Sequence, residues 1–265
     1  MQAYTAAFAR AYELRWTAFA RKMAPRLLEL YQATPLGRAG RAVIDLGCGS
    51  GHLALHFLEH GYQVLGVDLS PAMLALARER ASEYLRSGQA EFAEVDMASF
   101  TAERRFGLAV STYDAMNHLP DEAALGRCFA AVRRILAPDG MFVFDLNTRK
   151  GLRRWNGVTV EDTEEITVFN RGFFDEGQGR AWVRVSGFIR TANGSYDRFE
   201  ETAFNTAFDL RRVEELLVGQ GFDRIYCATP EDLARPLGSR EKPEEQDRVF
   251  FVARTQSGGA ATTSA

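Results

Sequence analysis

Cysteine is scarce in this chain. Cys48, Cys128 and Cys227 form an odd, widely spaced set with no Cys-x-x-Cys pair. Neither a disulfide framework nor a thiolate zinc site is therefore expected. Histidine is nearly as rare. His52, His56 and His60 fall at i, i+4 and i+8 on one helix face, with no carboxylate or cysteine at ligand spacing. A solvated stripe is the expected reading, and no metal is expected. Long apolar runs are missing, and nothing approaches the roughly 20 residues that cross a bilayer. Charged residues come early at the N-terminus and no signal-peptide pattern is present, so a cytoplasmic protein without a membrane partner is expected. An excess of charge is missing too. The formal net charge of -3 supplies no field to draw in phosphate backbones, which disfavours a nucleic-acid partner.

What is present suits an ordinary globular chain. Its 265 residues are 46% hydrophobic and 25% charged, enough for one large domain or one domain carrying an insertion. Residues 1 to about 33 read as helix, with Phe8, Tyr12, Trp16, Phe19 and Met23 at steps of three and four. Pro35 and Gly37 end it. Short apolar runs follow at Ala42 to Leu46, Gln63 to Val67, Glu91 to Val95, Gly107 to Ser111 and Met141 to Leu146. Helical stretches separate them: His52 to Glu59, Pro71 to about Leu85 behind a Ser70 cap, and Glu122 to Leu136. Pro138-Asp139-Gly140 reads as a turn. Strands alternating with helices predict βαβ units and a doubly wound, mostly parallel sheet.

From Val158 to Phe204 no helical period is visible. Val183, Val185 and Ile189 fall on one side of an alternating run, Arg184, Ser186 and Arg190 on the other. Asn193-Gly194 then signals a hairpin. This predicts an antiparallel insertion after the fifth parallel strand. A helix over Asp209 to Val218 and strands at Phe222 to Cys227 and Arg248 to Ala253 resume the first pattern. The expected units are a helical cap (1–40), a cofactor-binding domain (41–150 and 207–255), an antiparallel substrate lid (151–206) and a disordered tail (256–265).

The chemistry sits in Val43-Ile44-Asp45-Leu46-Gly47-Cys48-Gly49-Ser50-Gly51. A strand runs into a glycine-rich turn that opens a helix, where doubly wound sheets bind ligands. Asp68 ends the second strand about 20 residues later, at the spacing of a ribose-binding acid. The glycines read Gly-x-Gly-x-Gly, whereas a dinucleotide fingerprint needs its third glycine one position further on. That favours a nucleoside ligand without a pyrophosphate. Asp96, past the third strand, is placed to accept from an exocyclic amine. Each acid alone would be a cap or a solvated charge. Together they sit at the carboxyl ends of successive strands.

At these residues the chain resembles the class I S-adenosylmethionine-dependent methyltransferases, over about 40–148 and more loosely 207–254. Val43 to Gly51 looks like that family's first motif, Val67 to Met73 its second, and Val95-Asp96-Met97 its adenine-contacting segment. Leu136 to Met141 looks like the approach to the fifth strand. The resemblance implies a Rossmann-like seven-stranded sheet with its last strand antiparallel, and S-adenosyl-L-methionine as cofactor. It implies that Gly47, Gly49 and Gly51 flank the methionine part, that Asp68 holds the ribose, and that Asp96 and Met97 meet the adenine. Asp45, Cys48, Leu69, Met73 and Ser111 complete the candidate set. Ser111 to Leu119 is similar to the fourth-strand loop of small-molecule methyltransferases, which also carry a β-rich insertion and an aromatic N-terminal helix over the cofactor. Tyr12 and Trp16, with Tyr4, are candidates for that roof, where cation–π attraction to a sulfonium can act. Core packing is the alternative.

The expected reaction is transfer of a methyl group to nitrogen or oxygen of a small-molecule acceptor. His118 is the leading candidate base, followed by Tyr113 and Asp114. A capping or packing role is the alternative for His118. Cys48 reads as a small residue in a tight turn. A nicotinamide-dependent oxidoreductase is disfavoured by the glycine spacing, and a cofactor-binding regulator without catalysis remains a rival. Nucleic-acid methylation lacks both of its usual signatures here, an Asn/Asp-Pro-Pro-aromatic motif and a Pro-Cys pair. A homodimer is left open.

Overall fold

The computed structural model of the chain describes residues 4–238 and 240–255. It opens with α1 (Ala6–Arg15), α2 (Ala18–Gln32) and α3 (Pro35–Arg38). The alternating part follows: β1 (Val43–Leu46), α4 (His52–Glu59), β2 (Val64–Asp68), α5 (Pro71–Arg80), α6 (Ser82–Arg86), β3 (Ala90–Glu94), β4 (Phe106–Ser111), α7 (Glu122–Ile135) and β5 (Leu136–Asn147). Next come α8 (Arg149–Arg153) and an antiparallel meander of β6 (Gly157–Asp162), β7 (Ile166–Asp175), β8 (Arg180–Arg190) and β9 (Tyr196–Thr206). The chain closes with α9 (Leu210–Gly219), β10 (Phe222–Ala228) and β11 (Arg248–Thr255).

Seven strands form one sheet in the order β10-β11-β5-β4-β1-β2-β3. β11 runs antiparallel to β5 and β10, as the resemblance implies. The order reverses between β1 and β4, and a doubly wound sheet opens its ligand crevice at the carboxyl ends of such a pair. All four residues of β1 are buried, because both faces of the sheet are covered. Ile44, Leu46, Phe142 and Phe144 pack towards α7 and α9. Val43, Val64, Leu108 and Val143 pack towards α2 and α4.

The four-stranded sheet, β6-β7-β8-β9, alternates as expected. Ile166, Val168, Val185, Ile189 and Phe199 point inward and pack on Phe8 and Ala11 of α1. Its outer face is also rich in apolar side chains, with Phe173, Trp182, Phe188 and Phe204 exposed. The hairpin between β8 and β9 turns over Thr191 to Ser195, with Gly194 at φ 85.

Three boundaries differ from the sequence reading. The N-terminal helix is two helices, since α1 buries its apolar residues against the antiparallel sheet and α2 against the main sheet. The chain bends between them at Trp16 and Thr17. The helix that starts at Pro71 breaks at Ala81 before α6. The turn at 138–140 lies within β5 as an irregularity, with Asp139 at φ 59. The tail 256–265 lies outside the described residues. No helix among the described residues is long and apolar enough to cross a membrane.

Candidate active site

The turn after β1 is shaped by three left-handed glycines, Gly47 (φ 69), Gly49 (φ 52) and Gly51 (φ 79). Side chains at Gly47 and Gly51 are also excluded by space. A Cβ on Gly47 would stand 2.8 Å from Ala115 Cβ, and one on Gly51 2.9 Å from Ala77 Cβ. Gly47 N and Cys48 N donate to Val67 O at 2.8 and 3.0 Å, which ties the turn to β2.

Asp68, at the end of β2, locks this turn. Its Oδ2 accepts from Gly49 N and its Oδ1 from Ser70 N, both at 2.8 Å. Burial raises its pKa, and the N–H groups of Ser70 and Gly49 work against that rise. The nearby His118 also pulls it down. Asp45 lies alongside, 2% exposed. Burial, and then the charge of Asp68, push Asp45 up to about 8. Its Oδ2 has no hydrogen-bond partner among the described residues. A buried and a half-buried acid beside an open glycine turn are costly on their own and suit a cationic ligand. A sulfonium nucleoside that also carries an ammonium group meets that demand, so the residues present fit S-adenosylmethionine.

The other candidates divide. Met73 is buried, its N–H bonded to the Ser70 cap, and its Cε lies 3.7 Å from where a Gly49 Cβ would be. Leu69 is half-buried between Asp68 and Ser70. Met97 is half-buried with Cε beside Gly47, and the exposed Asp96 caps its own turn by accepting from Ala98 N at 2.8 Å. Ser111 is committed elsewhere: its buried hydroxyl donates to Leu46 O at 2.8 Å and fastens β4 to β1. Cys48 is buried, and burial raises its thiol well above the ordinary value, as suits a packing residue.

The roof comes from α1. Tyr12 meets Tyr113 edge-on at 6.4 Å. Burial raises its phenol well above the ordinary value, and Tyr113, Tyr4, Asp114 and Asp68 add to the rise. Trp16 instead stacks on Phe8 at 5.8 Å, within the packing against the antiparallel sheet. Ser70 Oγ donates to Tyr4 O at 3.3 Å, and Thr5 N to Glu201 Oε1 at 2.9 Å. His52 is not solvated. Its Nε2 meets Glu13 Oε2 at 3.1 Å, and Arg80 reaches the same oxygen at 2.5 Å.

The candidate acceptor-side residues lie on the loop after β4. His118 ends a single 3-10 turn, Ala115–His118, and is half-buried. Tyr113 stacks on Phe19 at 5.1 Å, and burial pushes its phenol up to about 12. Beneath it lies a cluster that the sequence reading missed, in which Arg248 bonds both Asp114 and Asp145. A lone acid inside the apolar run Phe142-Val143-Phe144-Asp145-Leu146 was the available signal.

The doubly wound sheet, its glycine turn and its acid-lined crevice define a nucleoside-cofactor enzyme. Residues 43–140 match the family model of a methyltransferase domain. The Bacillus subtilis (strain 168) methyltransferase YqeM is 26% identical over 215 residues, 80% of this chain and 83% of its own. A solved S-adenosylmethionine-dependent methyltransferase from Clostridium acetobutylicum ATCC 824 superposes with TM-score 0.76 at 21% identity, over 94% of this chain and 98% of that one. The sugar N-methyltransferase KedS8 from Streptoalloteichus sp ATCC 53650 superposes at 0.73 and 21%, over 94% and 93%. At that identity the solved structures establish the fold. Residues 43–140 are a methyltransferase domain, and the chain is an S-adenosylmethionine-dependent methyltransferase with S-adenosylmethionine as its cofactor.

Proposed function

We propose that the methyl acceptor is a small molecule and that the accepting atom is nitrogen or oxygen. The observation that carries this reading is the double cover on the cleft. Tyr12 of α1 meets Tyr113, Tyr4 just before α1 meets Ser70 beside Asp68, and the antiparallel sheet lies behind α1. Such an enclosure admits a compact acceptor far more readily than a polymer. The likeness to a structure named as a sugar N-methyltransferase supports it.

The bound sulfonium supplies an already activated methyl group. The protein's part is to hold the accepting atom in line and to exclude water, and alignment of that kind supplies on the order of 7–11 kcal/mol. In this reading Asp68 holds the ribose hydroxyls, Asp96 and the Met97 N–H meet the adenine, and the turn from Gly47 to Gly51 takes the methionine part. Tyr12 and Tyr113 wall the transfer site. His118 removes or orients the acceptor proton.

The test is transfer of labelled methyl from S-adenosylmethionine to separate panels of amino sugars, simple amines, matched hydroxyl compounds and RNA or DNA oligonucleotides. Label on a small amine or alcohol is expected. Label on oligonucleotides alone would overturn the reading.

A further inference from the structure

We propose that Arg248, together with Asp114 and Asp145, is a positioning device that fixes Tyr113 at the acceptor end of the cleft. The proposal rests on the methyl-transfer reading above. It begins with backbone strain. Tyr113 and Asp114 are consecutive non-glycine residues in the left-handed region, at φ 63 and φ 55. L-residues avoid that region because Cβ crowds the following carbonyl. Such strain persists only where the surroundings over-determine it.

Three side chains from distant segments do so here. Asp145, on β5, accepts from Asp114 N through Oδ2 at 3.1 Å. Arg248, the first residue of β11, donates to Asp114 Oδ1 at 2.9 Å and to Asp145 Oδ2. One guanidinium fork therefore clamps the strained loop to the floor of the sheet. The same guanidinium lies 4.8 Å from the centre of the Phe19 ring and 5.5 Å from that of Tyr113. Phe19 stacks in turn on Tyr113, with 20° between their planes. Arg248 thus holds both carboxylates that fix the loop at Asp114 and lies against the Phe19 and Tyr113 rings.

The location is the functional one. Arg248 pairs with Asn147 at the carboxyl end of β5, so the clamp sits on the ligand face. The chemistry suits positioning better than stability. Asp145 is fully buried, and Arg248 and Asp114 largely so. A buried ion pair gains little over well-packed apolar residues once desolvation is counted. What it adds is direction, because a planar fork accepts one arrangement of two carboxylates.

The test uses the full chain with S-adenosylhomocysteine bound, comparing Arg248→Met, Arg248→Lys, Tyr113→Ala and the Arg248→Met/Tyr113→Ala double variant. Calorimetry should show S-adenosylhomocysteine affinity unchanged in Arg248→Met. Hydrogen exchange of residues 111–119 should lose protection at the Asp114 amide. On whichever panel compound the wild type methylates, kcat should fall about 100-fold, the scale of an ångström's misplacement. The losses from Arg248→Met and Tyr113→Ala should not add, and Arg248→Lys should restore part of the rate and guard against a folding defect in Arg248→Met. Unchanged exchange, or losses that add in full, would overturn the device. If no panel compound is methylated, the acceptor reading fails and the exchange result alone decides the clamp.

Discussion

Replacing Asp45 by Asn should flatten the dependence of stability on pH. The carboxyl is 2% exposed, and burial with Asp68 nearby sets it at about 8. In the unfolded chain it titrates near about 3.9. A group raised on folding contributes stability that is complete below the unfolded value and is lost as pH rises towards the folded one. Between pH 5 and pH 7.5 the unfolded chain carries the charge while the folded chain mostly holds the proton. At about 1.4 kcal/mol per pH unit, the wild type loses on the order of 3 kcal/mol over that span through this one group. An asparagine keeps the shape and cannot titrate. Urea unfolding at a series of pH values, with unchanged m, reads the difference directly. Parallel pH curves for the two proteins would refute the argument. The same reasoning predicts proton release on cofactor binding near neutrality, since a cation beside Asp45 favours its charged form. Binding heats at pH 7 should therefore differ between buffers of high and low ionisation enthalpy, and Asp45→Asn should remove most of that difference.

Asp68→Ala should weaken S-adenosylmethionine binding by roughly 1.5–3 kcal/mol in calorimetry, because charged acceptor bonds are lost. It should also lower the melting temperature, as Gly49 N and Ser70 N lose their partner. Gly51→Ala combines a left-handed residue with a Cβ 2.9 Å from Ala77 Cβ. It should cost roughly 2–5 kcal/mol in urea unfolding, and a loss under about 1 kcal/mol would contradict the steric account. Phe8→Ala removes a buried ring between Trp16 and Phe199. It should expose α1 to trypsin at Arg10 and Arg15 while the core resists, whereas an unchanged digestion pattern would show α1 anchored elsewhere. His118→Ala should lower kcat roughly 10²–10⁴-fold with little change in cofactor affinity if the imidazole is the base. Wild-type kinetics across pH would leave His118 a structural role.

The parallel part of the fold is legible because its signals are local. β1 and the turn after it read directly from Val43 to Gly51, the Ser70 cap marks its helix start, and the helices expected from Glu122 and Asp209 begin within a residue of those positions. The break at Trp16 is not legible, because it follows from which sheet each half of the helix covers, a tertiary choice without local chemistry. Position alone singles out Asp68 and Asp45, yet their mutual electrostatics require the structure. A motif singles out Ser111, which spends its hydroxyl on Leu46 O instead. Arg248 lies 103 residues from Asp145, and a partnership over that separation leaves no pattern in the sequence.

α1 is held less firmly than the helices on the main sheet. Its apolar anchor is a separate cluster: Phe8 and Ala11, with Ala7, Tyr12 and Trp16 partly buried beside them, against the antiparallel sheet. Its ion pairs, Arg10 with Asp197 and Arg15 with Glu161, are substantially exposed, and pairs of that kind contribute about 0–1 kcal/mol each. Glu13 is the stronger tie. Burial pushes its pKa up, but bonds from His52 and Ser50 and the charge of Arg80 outweigh that and hold it at about 2. The main sheet, by contrast, has both faces packed by helices. Local opening draws on the less buried layers first, and α1, with three buried residues, packs outside the main sheet. Because Tyr12 of α1 meets Tyr113, loosening of α1 is expected to expose Tyr113 as well; hydrogen exchange of α1 with and without S-adenosylhomocysteine checks this, and equal protection in both states would refute it.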